Sequence, residues 1–115
     1  MGVTVAVTRA AAETDAPPNT QDFTTADLGG LTPKAALFIA TYGVTDGTQA
    51  DHWVRSYGAC DASREWCLCF TMEDNVGTGA SSMSTDDDLV IRFNDPGTAT
   101  VDGSAEFDSF IANGS

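Results

Sequence analysis

Basic residues are scarce in this chain. Five Lys and Arg stand against 17 Asp and Glu, a net charge of −12 over 115 residues. So acidic a surface repels a phosphate backbone and anionic lipid headgroups, so neither nucleic acid nor a membrane is an expected partner. Long apolar runs are missing too: none approaches the roughly 20 residues that a membrane helix needs. Met1-Gly2-Val3-Thr4-Val5 lacks the basic start and long apolar stretch of a signal peptide, which predicts synthesis in the cytoplasm. Histidine occurs once, as His52, and cysteine three times, as Cys60, Cys67 and Cys69. An odd cysteine count argues against a disulfide framework. A Cys60–Cys67 pairing across a hairpin is the one bridge to consider, and a cytosolic product keeps such thiols reduced.

Apolar residues make up 42% of the sequence, which argues against disorder of the whole chain and fits one domain with a modest core. Val3, Val5 and Val7 alternate with Thr4, Ala6 and Thr8, the period of a strand. Residues 9–20 hold Pro17-Pro18 and read as a loop, and residues 21–25 as a short strand. Gly29-Gly30 and Pro33 break the chain before the apolar run Lys34–Tyr42, which reads as a buried strand. Residues 52–57 form the next strand, with Trp53, Arg55 and Tyr57 on one face, and residues 60–64 a turn. The clearest alternation is Glu65–Met72: Trp66, Leu68, Phe70 and Met72 on one side, Glu65, Cys67, Cys69 and Thr71 on the other. The large apolar row is assigned to the core. Residues 73–88 read as a polar loop with a short strand through Ala80–Met83. Strands are expected at 89–93, 98–101 and 105–111, with turns at Asn94-Asp95-Pro96-Gly97 and Asp102-Gly103. About seven to nine short strands with frequent turn signals predict an all-β chain, an antiparallel β-sandwich of jelly-roll-like type. Residues 1–20 form an N-terminal strand and loop, a candidate docking arm, and residues 21–115 the sandwich.

Little supports catalysis. His52 with a cysteine and a carboxylate completes the inventory of a cysteine hydrolase without any local signature, and small buried hydrophobes are the simpler role for the thiols. Cys67-x-Cys69 lies within a strand, whereas structural zinc sites draw pairs of ligands from turns at wider spacing. The acidic clusters 73–75 and 86–88 do not match the twelve-residue loop of a calcium-binding helix pair. No cofactor, metal or catalytic residue is therefore assigned. The residues singled out for binding are Asp46, Thr48 and Asp51 in one loop and Glu73, Asp74, Asn75, Asp86 and Asp87 in another; long polar loops on compact domains often carry function.

Several segments carry a likeness. They are Leu31-Thr32-Pro33-Lys34-Ala35-Ala36-Leu37-Phe38-Ile39-Ala40-Thr41, Thr45-Asp46-Gly47-Thr48-Gln49-Ala50-Asp51-His52, Glu65-Trp66-Cys67, Glu73-Asp74-Asn75-Val76, Asp95-Pro96-Gly97-Thr98 and Val101 to Phe110. Together, across most of residues 3–114, they resemble a β-rich module of tailed-bacteriophage virion proteins. These pieces are turns and strands, so the resemblance implies fold and lineage rather than chemistry. In such relatives the chain runs on past an Asn-Gly pair into another apolar strand; here the sequence ends at Asn113-Gly114-Ser115, as a short version or as the first part of a longer chain. The resemblance implies a non-enzymatic virion structural protein, made in the host cytoplasm and acting in the virion. The expected role is a capsid decoration or cement subunit, a homo-oligomer bound to other capsid or tail proteins. The rival expectation is a tail-fibre or spike module that binds a host receptor or surface glycan.

Overall fold

In a computed structural model the described residues are 2–10, 21–23, 26–42, 53–73, 80–95 and 100–111. The chain divides into two compact units. One is Lys34–Ser109 and the other combines Met1–Pro33 with Phe110–Ser115. Among the described residues the larger unit holds six strands: β1 (Ala35–Tyr42), β2 (Trp53–Asp61), β3 (Glu65–Glu73), β4 (Ala80–Asp86), β5 (Ile91–Asn94) and β6 (Val101–Ala105). The first four form an antiparallel sheet in the order β1-β2-β3-β4, and β5 and β6 a two-stranded antiparallel sheet. The all-β, two-sheet, sandwich-like expectation therefore holds.

The smaller unit is plainer. Residues 2–10 are in no strand, so the alternation of Val3, Val5 and Val7 does not produce one within this chain. Residues 21–23 are not in a strand either. A 3-10 turn at Ala26–Leu28 follows, closed by the Leu31 amide donating to the Leu28 carbonyl at 3.1 Å. Gly29 and Gly30 have φ of 58° and 83°, left-handed values that cost a side chain but not glycine.

Register fixes the two faces of the large sheet. Ser56 pairs with Cys69, Gly58 with Cys67 and Val54 with Thr71, and Cys67, Cys69 and Thr71 pair in turn with Asp86, Ser84 and Ser82. These residues share the face that β5 packs against. Val54, Ser56, Cys60, Cys67, Cys69, Thr71, Val90 and Asn94 are all buried. The interior is thus built from small and polar side chains, contrary to the expected core. Trp66, Leu68, Phe70 and Met72 do share one face, but it is the outward one, and Trp66 stays 46% exposed.

The cause is a close approach of backbones. A Cβ on Gly58 would overlap the Val90 carbonyl oxygen and lie 2.7 Å from its carbon. Rows of large side chains cannot fit between sheets held that close, and the polar groups that do fit are satisfied. The Arg92 amide donates to Ser56 Oγ at 3.0 Å, Asn94 Nδ2 donates to Ser84 Oγ at 2.7 Å, and Thr71 and Ser82 share a hydroxyl hydrogen bond of 2.6 Å. The half-buried Arg92 guanidinium donates through Nε to Asn94 Oδ1 at 2.9 Å and through Nη1 to Asp86 Oδ2 at 2.8 Å. Buried polar groups cost little only when paired in this way.

The later strands differ from expectation. β4 runs to Asp86 rather than ending at Met83, and β5 starts at Ile91. Asp102-Gly103 lies inside β6 instead of turning, because Gly103 pairs with Phe93. Residues 106–111 form no strand; the Phe107 amide instead donates to Glu65 Oε2 at 2.8 Å. Gly58→Ala is expected to lower stability by about 1–3 kcal/mol, the usual cost of overpacking, while Ser81→Ala on exposed β4 stays within about 0.5 kcal/mol; urea unfolding measures both.

Candidate functional site

The sequence-singled residues do not assemble into one site among the described residues. Asp46, Thr48, Asp51, Asp74 and Asn75, together with His52, lie outside the described residues. Glu73 closes β3 half-buried, Asp86 closes β4 half-buried, and Asp87 is exposed beside it. Asp86, Asp87 and Asp88 place their carboxylate oxygens within 4.8 Å of one another. Asp86 is already committed: its Oδ2 accepts from Arg92 and its Oδ1 from the Asp88 amide at 3.0 Å. Any cation there competes with Arg92 for Asp86, which makes the cluster a structural corner of the sheet.

The thiols are held as packing groups. Cys60, Cys67 and Cys69 are buried and free. Cys60 pairs with Glu65 and Cys67 with Gly58, so the register does not set Cys60 opposite Cys67. Burial pushes the Cys60 thiol up in pKa, with Glu65 and Asp61 adding to the shift against a lowering hydrogen bond from the Ala36 backbone. Burial, then Asp86, pushes Cys67 up too, with Arg92 opposing. Raised pKa values keep these two sulfurs protonated and poorly nucleophilic at neutral pH.

The turn between β2 and β3 sits where the sequence puts it. Asp61 Oδ1 accepts from the Ser63 amide and hydroxyl, both at 2.9 Å, and from the Arg64 amide at 3.0 Å. Oδ2 accepts from the Arg64 guanidinium at 3.0 Å. The Ser63 bonds first, then those of Arg64, hold the carboxyl at about 2.

What the structure presents to solvent is the outer face of the large sheet, and sequence reasoning misplaced it. Leu37 and Ile39 on β1 are 84% and 76% exposed, and Tyr57, Trp66, Met72 and Met83 extend the patch across the other strands. Cross-strand pairing sets Ile39 beside Tyr57, Tyr57 beside Leu68, and Phe70 beside Met83. Tyr57 and Phe70 meet edge-on at 6.3 Å, and the Arg55 guanidinium lies 5.3 Å from the Trp53 ring centre. Among the strand positions of this face only Asp61 is acidic and only Arg55 is basic. In a chain of net charge −12 that is a neutral, aromatic window in an acidic surface. One signal could have found it: Ser56, Gly58 and Cys60 on β2 and Cys67, Cys69 and Thr71 on β3 form a period-two row of small residues, as close packing of sheets requires.

No protein-family model, no curated protein and no solved structure matches this chain. The likeness to virion proteins accordingly stands on the quoted segments alone.

Two measurements probe this geometry. The Asp61 carboxyl, followed by NMR, should titrate with a midpoint at about 2. Its pKa is depressed in the fold, so the turn's stabilisation is present above the ordinary carboxylate value and is lost as the pH falls toward 2; a midpoint at 3.8 means the turn does not form. All three thiols should react slowly with a maleimide in the folded protein and at once in urea. A fast-labelling Cys67 in the folded state would contradict the packing.

Proposed function

We propose that this chain is a non-enzymatic structural subunit of a tailed-bacteriophage virion, a decoration or cement subunit that docks on the capsid through the outer face of its large sheet. The exposed apolar patch led by Leu37, Ile39, Trp66 and Met83 carries this reading. Contiguous apolar patches beyond a few hundred Å² mark interaction surfaces on soluble proteins. The four strands have 8, 9, 9 and 7 residues. At about 4.8 Å between strands and about 3.3 Å per residue, the face spans roughly 500 Å² in projection. That approaches one partner's share of a standard interface, about 800 Å². The near-absence of acid on the face lets it be desolvated cheaply, while the acidic remainder keeps the subunit soluble. The resemblance of the quoted segments supplies the particle, and the burial of all three thiols supports a role without chemistry.

The second reading, a tail-fibre or spike module that binds a host receptor or glycan, gains from one observation. Trp66 and Tyr57 are partly exposed on the same face, as sugar stacking needs.

Co-sedimentation with purified capsids lacking the subunit separates the two. Docking predicts saturable binding that falls at least tenfold in Trp66→Ser and Met83→Lys, both at exposed positions, a loss of about 1.4 kcal/mol or more. Absent capsid binding combined with Trp66-dependent retention on a glycan array would favour the second reading.

A further inference from the structure

β1 ends the large sheet, with β2 on one side and no strand on the other among the described residues. Sheet edges of this kind are normally blunted by charge, proline or a bulge. β1 has none of these. Its sequence is Ala-Ala-Leu-Phe-Ile-Ala-Thr-Tyr, and its pairing with β2 runs unbroken from Ala35 to Tyr42. Leu37 and Ile39 stand out from it almost fully exposed. The opposite edge, β4, reads Ala-Ser-Ser-Met-Ser-Thr-Asp and is far more polar.

A matching segment exists in the same chain. Residues 3–8 carry strand periodicity with β-branched side chains and lie in no strand. Val3, Val5 and Val7 are 90%, 73% and 85% exposed. Residues 2–8 and β1 are both uncharged, so no like-charge repulsion opposes their pairing.

We infer that residues 3–8 of one copy add as an antiparallel strand to the β1 edge of a second copy. The inference rests on the reading of the chain as an assembling subunit; it uses the sheet edge, shares Leu37 and Ile39 with the docking face, and leaves Trp66 and Met83 uncovered for that face. Side-chain parity sets the register. With Val5 opposite Ile39, Val7 falls opposite Leu37 and Val3 opposite Thr41, so the exposed valines cover the exposed residues of β1. Thr4, Ala6 and Thr8 fall opposite Ala40, Phe38 and Ala36, where small side chains fit beside the ring. The added strand extends the ladder at the β1 edge and buries apolar rows on both partners, the recognition mode of β-strand addition. Because donor and acceptor are different surfaces, the contact is head-to-tail and repeats from copy to copy.

The test mixes two single-site proteins, Val5→Cys and Ile39→Cys, and treats them with a short bis-maleimide. The native thiols are buried. Trans pairing predicts a cross-linked dimer in the mixture, well above that from Val5→Cys mixed with Met83→Cys on the opposite edge. Light scattering should show the native chain as an oligomer and a chain lacking residues 2–8 as a monomer with unchanged far-UV circular dichroism. Val5→Lys should weaken association roughly tenfold or more, and a peptide of residues 2–9 should bind the shortened chain. A native monomer, an oligomer that survives the deletion, or no more cross-linked dimer from Val5→Cys with Ile39→Cys than from Val5→Cys with Met83→Cys overturns the inference. Met83→Lys must leave the oligomer intact while weakening capsid binding. Loss of strand exchange and loss of capsid docking are therefore read separately.

Discussion

The carbonyl oxygen of Val90 occupies the space where a side chain on Gly58 would stand, and the rest of the larger unit follows from that approach. Two backbones so close leave room for only small groups between the sheets. Ser56, Cys67, Cys69 and Thr71 fill it. Because hydroxyls and an amide replace hydrocarbon there, each must find a partner, and Arg92 and Asn94 on β5 supply most of them. A seam of this kind contributes less through the hydrophobic effect than a leucine-rich core, since little apolar area is removed from water. It contributes more to the uniqueness of the packing, because hydrogen bonds between fixed donors and acceptors tolerate no sliding.

The same constraint decides where the large side chains go. In a strand of period two, residues excluded from one face appear on the other. Trp66, Phe70, Tyr57 and Ile39 are therefore driven outward as a group. They are only partly covered by one another, as the edge-on contact of Tyr57 with Phe70 illustrates. The apolar surface available for docking is thus a by-product of how the inner face is packed.

The alternation in Glu65–Met72 was legible in the sequence, as were a turn within residues 60–64, the strand character of β1 and β2, and the all-β class. Which side of the alternation faces inward was not. Hydrophobicity ranks Trp66 and Phe70 as interior, and only the partnership of Gly58 with Val90, a tertiary contact across 32 positions of chain, reverses the ranking. Sequence also read residues 3–8 as a strand: local propensity was present, but a strand needs a neighbour, and residues 2–10 join no ladder. Asp102-Gly103 failed as a turn signal for the reverse reason, since Phe93 recruits that dipeptide into a ladder. The binding loops were chosen for polarity, and polarity says nothing of an aromatic window on a sheet face.

The strand order β1-β2-β3-β4 has a kinetic consequence. Every strand in the large sheet pairs with its neighbour in sequence, so each step closes a short loop and the entropy lost is small. The meander can assemble without the β5–β6 hairpin. That hairpin brings the long-range contacts and lands on a face already lined by Cys67 and Cys69. Until it lands those thiols face water, and afterwards they do not. The two cysteines therefore serve as an internal clock for the last event in folding.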